Sequence, residues 1–235
     1  MNAFVDLHIH TGLSPCGDKD MTPNNIVNMA VIKGLDAIAI TDHNSCENAA
    51  SCMEVGRRNG LIVIPGMELQ TREDIHVVCL FSSLENAMLF QELIYSRLPS
   101  IKNRSDIFGE QLLYDPEDNI CGHHDELLLS SAGISYDDAY KAVEELNGVF
   151  IPAHVDRASF SVITSLGFMP EYIPTRTIEY KSWPQTLKLI EKGLISRNHL
   201  FLHSSDAHYL WDILERKSHI ICNDLSSASI LSSLK

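Results

Sequence analysis

The sequence lacks several features that define large classes of protein. None of its apolar runs approaches the roughly 18 residues of a membrane-spanning helix. The six cysteines form no CxxC pair and no regular framework, which favours reduced thiols over disulfides. The start of the chain has no basic segment followed by an apolar core. We therefore expect no secretory signal and a cytoplasmic protein.

Positive charge is also scarce in this chain. The 18 Lys and Arg residues are outnumbered by 31 Asp and Glu residues, which gives a formal net charge of −13. An acidic surface argues against a broad interface with nucleic acid or with an anionic membrane. We therefore expect neither long duplex nucleic acid nor a membrane among the partners. The eleven histidines are, in contrast, many for 235 residues.

Short β-branched runs alternate with helical patterns along the chain. Strands are predicted at 5–9, 36–41, 61–64, 75–81, 149–153, 177–180, 200–203 and 220–222. This alternation predicts an α/β fold with a mainly parallel sheet, and seven or so strands suit a distorted barrel. We expect one domain over residues 1–235. Residues 99–134 break the rhythm and are either a lid over the site or an irregular loop without a role.

Local signals predict where the helices begin and end. Thr22 is a suitable N-cap and Pro23 a suitable first residue for the first helix. Asn44 and Glu47 have the spacing of a capping box for a second helix, which would end near Gly60.

Histidines and acids occur where the predicted strands end. An HxH pair such as His8 and His10 is weak evidence alone, although both imidazoles share one face of a strand. In a parallel barrel, however, the carboxyl ends of the strands gather at one mouth. The residues that would converge there are His8, His10, His43, Glu68, His154, Asp206 and His208. His76 would join them if residues 71–74 turn a hairpin. The pattern predicts a multinuclear metal site.

Six motifs carry a family resemblance. They are, in chain order, DLHIHT, ITDHN, PGMELQ, DIHVV, IPAHVDR and SSDAH. With these motifs the chain resembles the polymerase and histidinol phosphatase (PHP) family of metal-dependent phosphoesterases, from residue 5 to about 212. The resemblance implies a distorted (β/α)7 barrel with up to three divalent ions at its mouth. Zinc, manganese and iron all suit such ligands.

The resemblance also implies which residues hold each ion. The first would bind His8, His10, Glu68 and Asp206, and the second would bind Glu68, His76 and His154. The third would bind His43, His208 and a residue of the loop after the first strand. Counting back from Thr22 places Asp18 at the matching position of this loop, with Asp20 and Cys16 as rivals.

The implied activity is hydrolysis of a phosphate ester by a metal-activated hydroxide, with Glu68 and Asp206 acting through that hydroxide. The substrate would be a nucleotide, a short oligonucleotide end or a small phosphorylated metabolite. Arg157 could clamp the phosphate or be a solvated surface arginine. Asp42 could orient a ligand histidine or cap a loop.

Several alternatives remain open. The chain could be a non-catalytic metal-binding module, a histidinol-phosphate phosphatase of the same family, or an amidohydrolase-like deacylase. His123 and His124 lie in the irregular segment, and we do not expect them to be ligands. Tyr209 and Trp211 could line a pocket for a base or ring, or could belong to the core.

Overall fold

The computed structural model describes residues 1–235. The strands are β1 (Asn2–Ile9), β2 (Ala37–Ile40), β3 (Ile62–Gln70), β4 (His76–Leu80), β5 (Leu112–Tyr114), β6 (Ile120–His123), β7 (Val149–Pro152), β8 (Thr177–Tyr180), β9 (Leu200–His203) and β10 (His219–Ile221). The helices are α1 (Pro23–Ile32), α2 (Ala49–Asn59), α3 (Leu84–Tyr95), α4 (Ser105–Phe108), α5 (Tyr136–Glu145), α6 (Val162–Leu166), α7 (Trp183–Glu191) and α8 (Ser227–Ser232). None of these helices has the length and apolarity needed to cross a membrane. The cytoplasmic location stays a prediction.

The main sheet has six strands in the order β10-β1-β2-β3-β4-β7. β1, β2 and β3 are parallel, as are the separate pair β8 and β9. A parallel bridge between Ile9 and Ala207 brings the segment after β9 back to β1 and curls the sheet. The α/β barrel-like fold is confirmed, while a count of seven strand–helix units and a single domain stay predictions.

The prediction that the sheet is mainly parallel, in contrast, is wrong. β4 pairs antiparallel with both β3 and β7, and β10 pairs antiparallel with β1. The physical reason lies in the connection between β3 and β4. The Thr71 N–H donates to the Ile75 carbonyl at 2.9 Å, and so short a connection can only form a hairpin. The predicted hairpin is confirmed, and it pairs Gln70 with His76.

The first helix follows its sequence signals, and the second does so only in part. The Thr22 hydroxyl caps α1 by accepting the Asn25 N–H, and Pro23 is its first residue. Gly60 ends α2 in the left-handed conformation, with φ of 71°. The prediction of a capping box at Asn44 is wrong. The Asn44 amide instead donates to the carbonyls of Leu128 and Ser130.

Both faces of the sheet are buried. Along β2, Ala37 and Ala39 join one apolar cluster, while Ile38 and Ile40 join another with residues of α1 and α2. This two-sided burial explains why the strands are short, continuous apolar runs rather than alternating ones. The helices therefore cover the outside, and the loops after the strands are free to form a site.

Residues 99–134 are not an irregular loop. They contain α4 and the antiparallel hairpin of β5 and β6. The buried Asn48 amide anchors this hairpin: it donates to the Leu112 carbonyl at 3.0 Å and accepts the Tyr114 N–H at 3.0 Å. It also donates to the Thr11 hydroxyl at 2.8 Å, directly after the HxH motif. The segment is thus tied to the loop that follows β1.

Replacing Asn48 should test this anchor. We expect Asn48→Ala to lower the free energy of unfolding by about 2–4 kcal/mol, because buried hydrogen-bonding groups lose their partner. Urea denaturation measures the change. Asn28, exposed on α1, is the matched control, and Asn28→Ala should cost less than about 0.5 kcal/mol. Equal stability of the two variants would show that the anchor contributes nothing.

Candidate metal centre

The ends of the strands bring most of the predicted ligands into one buried cluster. β1 leads to His8 and His10, β3 carries Glu68, and β4 begins with His76. A bridge between His43 and Glu68 joins the segment after β2 to β3. The other members follow β7 and β9 and are His154, Asp206 and His208.

Glu68 lies at the centre of this cluster and is fully buried. Its carboxylate oxygens approach five imidazoles: His8 at 3.3 Å, His10 at 3.4 Å, His43 at 2.9 Å, His76 at 2.8 Å and His154 at 3.1 Å. Burial alone would raise the pKa of Glu68, but the charges of His76, His8 and His43 hold the pKa well below its usual range. Glu68 is therefore an anion in contact with five of the six histidines of the cluster.

Asp206 supplies the second carboxylate. Its Oδ1 lies 3.2 Å from His10 Nε2 and 3.5 Å from His8 Nε2. Burial would raise the pKa of Asp206, but His8 and His10 lower it below its usual range. Asp206 and His154 both have positive φ, 51° and 28°, a conformation that non-glycine residues rarely adopt. Backbone strain of this kind occurs where the surrounding structure must aim a side chain.

His8 is oriented by a residue that the sequence reasoning missed. Its Nδ1 lies 2.9 Å from the Glu179 carboxylate, which is fully buried at the end of β8. The other Glu179 oxygen accepts the His154 N–H at 3.2 Å. One carboxylate thus positions two members of the cluster. The only signal in the sequence is an acid inside a short predicted strand, TIEY.

His10 is oriented through a chain of hydrogen bonds. Its Nδ1 lies 2.8 Å from the Ser14 hydroxyl, and that hydroxyl donates to Asp42 Oδ1 at 2.7 Å. Asp42 also accepts the Thr11 N–H and hydroxyl, at 2.7 and 2.8 Å. Asp42 therefore does both things considered for it: it caps the loop, and it orients a histidine of the cluster.

The loop after β1 does not bring Asp18 into the cluster. The Asp18 carboxylate accepts the Asp20 N–H at 2.8 Å at the surface, and Asp20 is exposed. Cys16 instead lines a cavity of about 330 Å³ together with His43 and His208. Partial desolvation would raise the pKa of the Cys16 thiol, but the neighbouring His208 and His43 lower it to about 6.

The shape of this loop explains why the side chain of Cys16, rather than that of Asp18, lies beside the histidines. The Gly17 N–H donates to the Ser14 carbonyl at 2.7 Å, and the Asp18 N–H donates to the His208 carbonyl at 2.9 Å. A Cβ at position 17 would lie 2.5 Å from the Thr11 carbonyl oxygen, so the turn requires glycine. Counting along the chain cannot reveal that this tight turn places the side chain of residue 16, rather than that of residue 18, beside His43 and His208.

An open cavity of about 690 Å³ adjoins the cluster. Its lining includes Arg157, Lys181, Asp206 and His208. Arg157 is half-exposed and donates to Asp206 Oδ2 at 2.8 Å, which places it at the rim. The Lys181 ammonium donates to the Ser205 carbonyl. Two cationic side chains therefore face the space where a substrate would approach.

His123 and His124 lie away from the cluster. His124 Nδ1 lies 3.2 Å from a Glu47 carboxylate oxygen, and its ring packs near Tyr95. Neither residue belongs to a group of ligand atoms close enough to share an ion.

Several buried polar atoms of the cluster have no hydrogen-bond partner. They are His43 Nδ1, Glu68 Oε2, His76 Nδ1 and His154 Nδ1. Glu68 approaches His43 and His76 closely, but the angles are not those of hydrogen bonds. Unpartnered buried donors and acceptors are costly and need an explanation. Imidazole and carboxylate atoms gathered within 4.8 Å of one another fit divalent cations.

The fold is shared with known structures. Endonuclease Q from Pyrococcus furiosus, described as a lesion-specific endonuclease, matches all of this chain and 56% of its own with a TM-score of 0.73 and 18% identity. Endonuclease Q in complex with a 27-mer duplex, with an abasic lesion at the active site, matches 99% of this chain and 56% of its own with a TM-score of 0.70 and 16% identity. At these identities the likeness establishes the fold.

A relative in sequence is the 5'-3' exoribonuclease Rnm of Escherichia coli K12. It is 31% identical over 114 residues, which are 46% of this chain and 38% of Rnm. The chain thus matches less than half the length of this relative.

The net charge led us to expect a small substrate and no long duplex nucleic acid. That expectation is wrong. Endonuclease Q, which has this fold, binds a duplex, and Rnm is an exoribonuclease. The physical reason is that a local site, rather than the charge of the whole chain, meets the substrate. Here Arg157 and Lys181 supply positive charge beside the cluster.

Family membership follows from a longer match. The family described as PHP domain matches residues 6–155, which is more than half of the chain and includes the motifs around His8, His43, Glu68, His76 and His154. The order of these motifs, the fold and the buried cluster all agree with that match, and the chain belongs to the PHP domain family.

Proposed function

We propose that the protein is a metal-dependent phosphoesterase that hydrolyses phosphodiester bonds of nucleic acid. The observation that carries the proposal is the buried Glu68 carboxylate, which meets five imidazoles below a cavity with two cationic side chains. Asp206 and Asp212 also line this cavity, so a phosphate anion would be attracted by the bound divalent ions together with Arg157 and Lys181. The relatives that act on or bind nucleic acid support the choice of substrate.

The ligand set follows the clusters of donor atoms. His8, His10, Glu68 and Asp206 would hold the first ion, since their ligand atoms lie within 4.8 Å of one another. Glu68 and His76, whose ligand atoms form a group with that of His43, would hold the second together with His154, whose Nε2 lies 3.1 Å from Glu68 Oε1. His43 and His208 would hold the third, with Cys16 in place of Asp18. Divalent ions in these positions supply Lewis acidity and neutralise phosphate charge.

The protein itself fixes the tautomers of two ligands. In the neutral imidazole that an ion requires, the Glu179 carboxylate would accept from the His8 Nδ1–H, and the Nε2 lone pair would be left on the side of Glu68. The Ser14 hydroxyl donates its hydrogen bond to Asp42 Oδ1 and would therefore accept one from the His10 Nδ1–H. Both imidazoles thus present Nε2 to the centre without any reorganisation.

Arg157 is the group proposed to bind the substrate phosphate. In the structure it pairs with Asp206, and its half-exposed side chain can reach into the cavity. A guanidinium can form two parallel hydrogen bonds with a phosphate, which would orient the ester beside the cluster. Lys181, which already donates to the Ser205 carbonyl, adds positive charge without needing to move.

Hydrolysis tests the proposal directly. We expect the metal-loaded protein to cleave at least one of single-stranded RNA, single-stranded DNA and lesion-containing duplex DNA. Glu68→Gln should lower the rate at least about 100-fold, because several kcal/mol of charge stabilisation is lost. The exposed Glu171→Gln is the control and should keep full activity. Turnover equal in the wild-type protein and Glu68→Gln would refute the proposal.

Glu179→Gln tests the positioning of His8. Loss of this carboxylate should weaken metal binding about 10–100-fold, because the amide no longer holds the His8 tautomer as firmly. Competitive metal titration with a chromophoric chelator measures the affinity. The same Glu171→Gln control should bind metal normally, and unchanged affinity in Glu179→Gln would show that the contact with His8 has no such role.

Cobalt spectroscopy tests whether Cys16 is a ligand of the proposed third ion. If Cys16 is a ligand, Co²⁺-loaded protein should show thiolate-to-cobalt charge-transfer absorption in the near ultraviolet. The band should survive in Asp18→Asn and in Cys121→Ser, a second exposed cysteine, and should disappear in Cys16→Ser. A band that persists in Cys16→Ser would assign the ligand elsewhere.

A further inference from the structure

Two exposed aromatic rings follow the last histidine of the cluster. Tyr209 and Trp211 stack with their ring centroids 4.8 Å apart and an interplanar angle of 14°. Trp211 is 71% exposed and Tyr209 is 38% exposed. The two stacked rings form a contiguous exposed apolar surface, and contiguous apolar patches of this kind mark binding sites.

The rings stand on a rigid support. The segment from Ser205 to Leu214 is held at both ends by the buried Asp6 carboxylate, which accepts the N–H of each of these residues at 2.9 Å. Between them, the Lys33 ammonium donates to the carbonyls of Trp211, at 3.1 Å, and of Ile213. The backbone that carries the rings is therefore fixed before any ligand arrives, which reduces the entropy lost on binding.

One ring of the pair lines the cavity beside the cluster, and Trp211 stacks on that ring. Tyr209 lines the cavity of about 690 Å³ together with Arg157, Lys181 and Asp206. An aromatic surface beside cationic side chains is the combination that binds single-stranded nucleic acid, because bases stack on the rings while phosphates meet the cations.

We propose that Tyr209 and Trp211 form a stacking platform for an unpaired nucleobase of the substrate. This inference rests on the proposed function and adds the form of nucleic acid that the site takes. Stacking needs a free face on both partners. The open indole offers one, and an unpaired base at a strand end or at a lesion offers the other. Bases stacked inside an intact duplex offer no free face.

The chain provides a matched control for this platform. Trp183 is the other tryptophan of the chain, and it is 46% exposed. Its ring meets Tyr180 and Phe201 edge-on, at 5.5 and 5.3 Å, and neither neighbour lines the cavity, whereas Trp211 stacks on Tyr209, which does. Trp183→Ala therefore removes a comparable ring at a different place.

The test compares two labelled single strands of roughly ten nucleotides, a length within the range of single-strand binding sites. One carries thymine bases and the other is abasic at every position, and both have phosphorothioate linkages that resist hydrolysis. Fluorescence anisotropy with the metal-loaded full chain measures the affinity. We expect Trp211→Ala and Tyr209→Ala to bind the thymine strand about tenfold more weakly, a change of about 1.4 kcal/mol. The affinity of these two variants for the abasic strand should change less than about twofold, or about 0.4 kcal/mol. Trp183→Ala should change the affinity for neither strand.

Other outcomes would overturn the platform. Equal losses on both strands would mean that the rings only support the fold, and no loss on either would mean that bases do not reach them. A dimer of the wild-type protein that Trp211→Ala dissociates, with DNA binding unchanged, would assign the rings to a protein interface. If no phosphodiester is hydrolysed while the preference for bases depends on Trp211, the proposed function fails and the platform stands.

Discussion

The burial of one carboxylate among five imidazoles is the constraint on which the rest of the site depends. An isolated buried carboxylate would become neutral, but the imidazoles around Glu68 keep it charged. The same contacts require the ends of β1, β3, β4 and β7 and the segments after β2 and β9 to meet at one point. The curl of the sheet and the positive φ of His154 and Asp206 are consistent with that requirement.

Around this centre lies a layer of residues that hold the donors in one orientation. Glu179 fixes His8, while Ser14 and Asp42 fix His10. Asp6 lies further from Glu68 and accepts hydrogen bonds from both ends of the segment that carries Asp206, His208 and the aromatic pair. Buried carboxylates thus connect the core of the barrel to the donors, and a shift in any one of them would move a donor atom.

Much of the fold and of the cluster could be predicted from the sequence, for identifiable reasons. Strand positions follow from short apolar runs, and His8, His43 and Asp206 were found because they stand where such runs end. Glu68 and His76 were predicted to lie together from a turn, and the register of β3 and β4 brings them together. These signals are local, so periodicity and turn chemistry are enough to reveal them.

What could not be predicted depends on contacts between distant residues. Glu179 is 171 positions from His8, and no pattern in its own strand shows that it faces an imidazole. The direction of Cys16 depends on a turn that packs Gly17 against Thr11. The antiparallel place of β7 beside β4 and the docking of residues 99–134 through Asn48 likewise depend on tertiary contacts. The prediction of the partners from net charge was wrong because net charge averages over the whole surface. Arg157 and Lys181 instead lie together at one cavity.

Anomalous diffraction from crystals of the protein loaded with zinc or manganese tests the central claim most directly. The account predicts anomalous peaks on both sides of the Glu68 carboxylate, with His8, His10 and Asp206 around one and His76 and His154 around another. It is contradicted if the loaded crystals show no peak within coordination distance of Glu68 while the imidazoles keep the arrangement described.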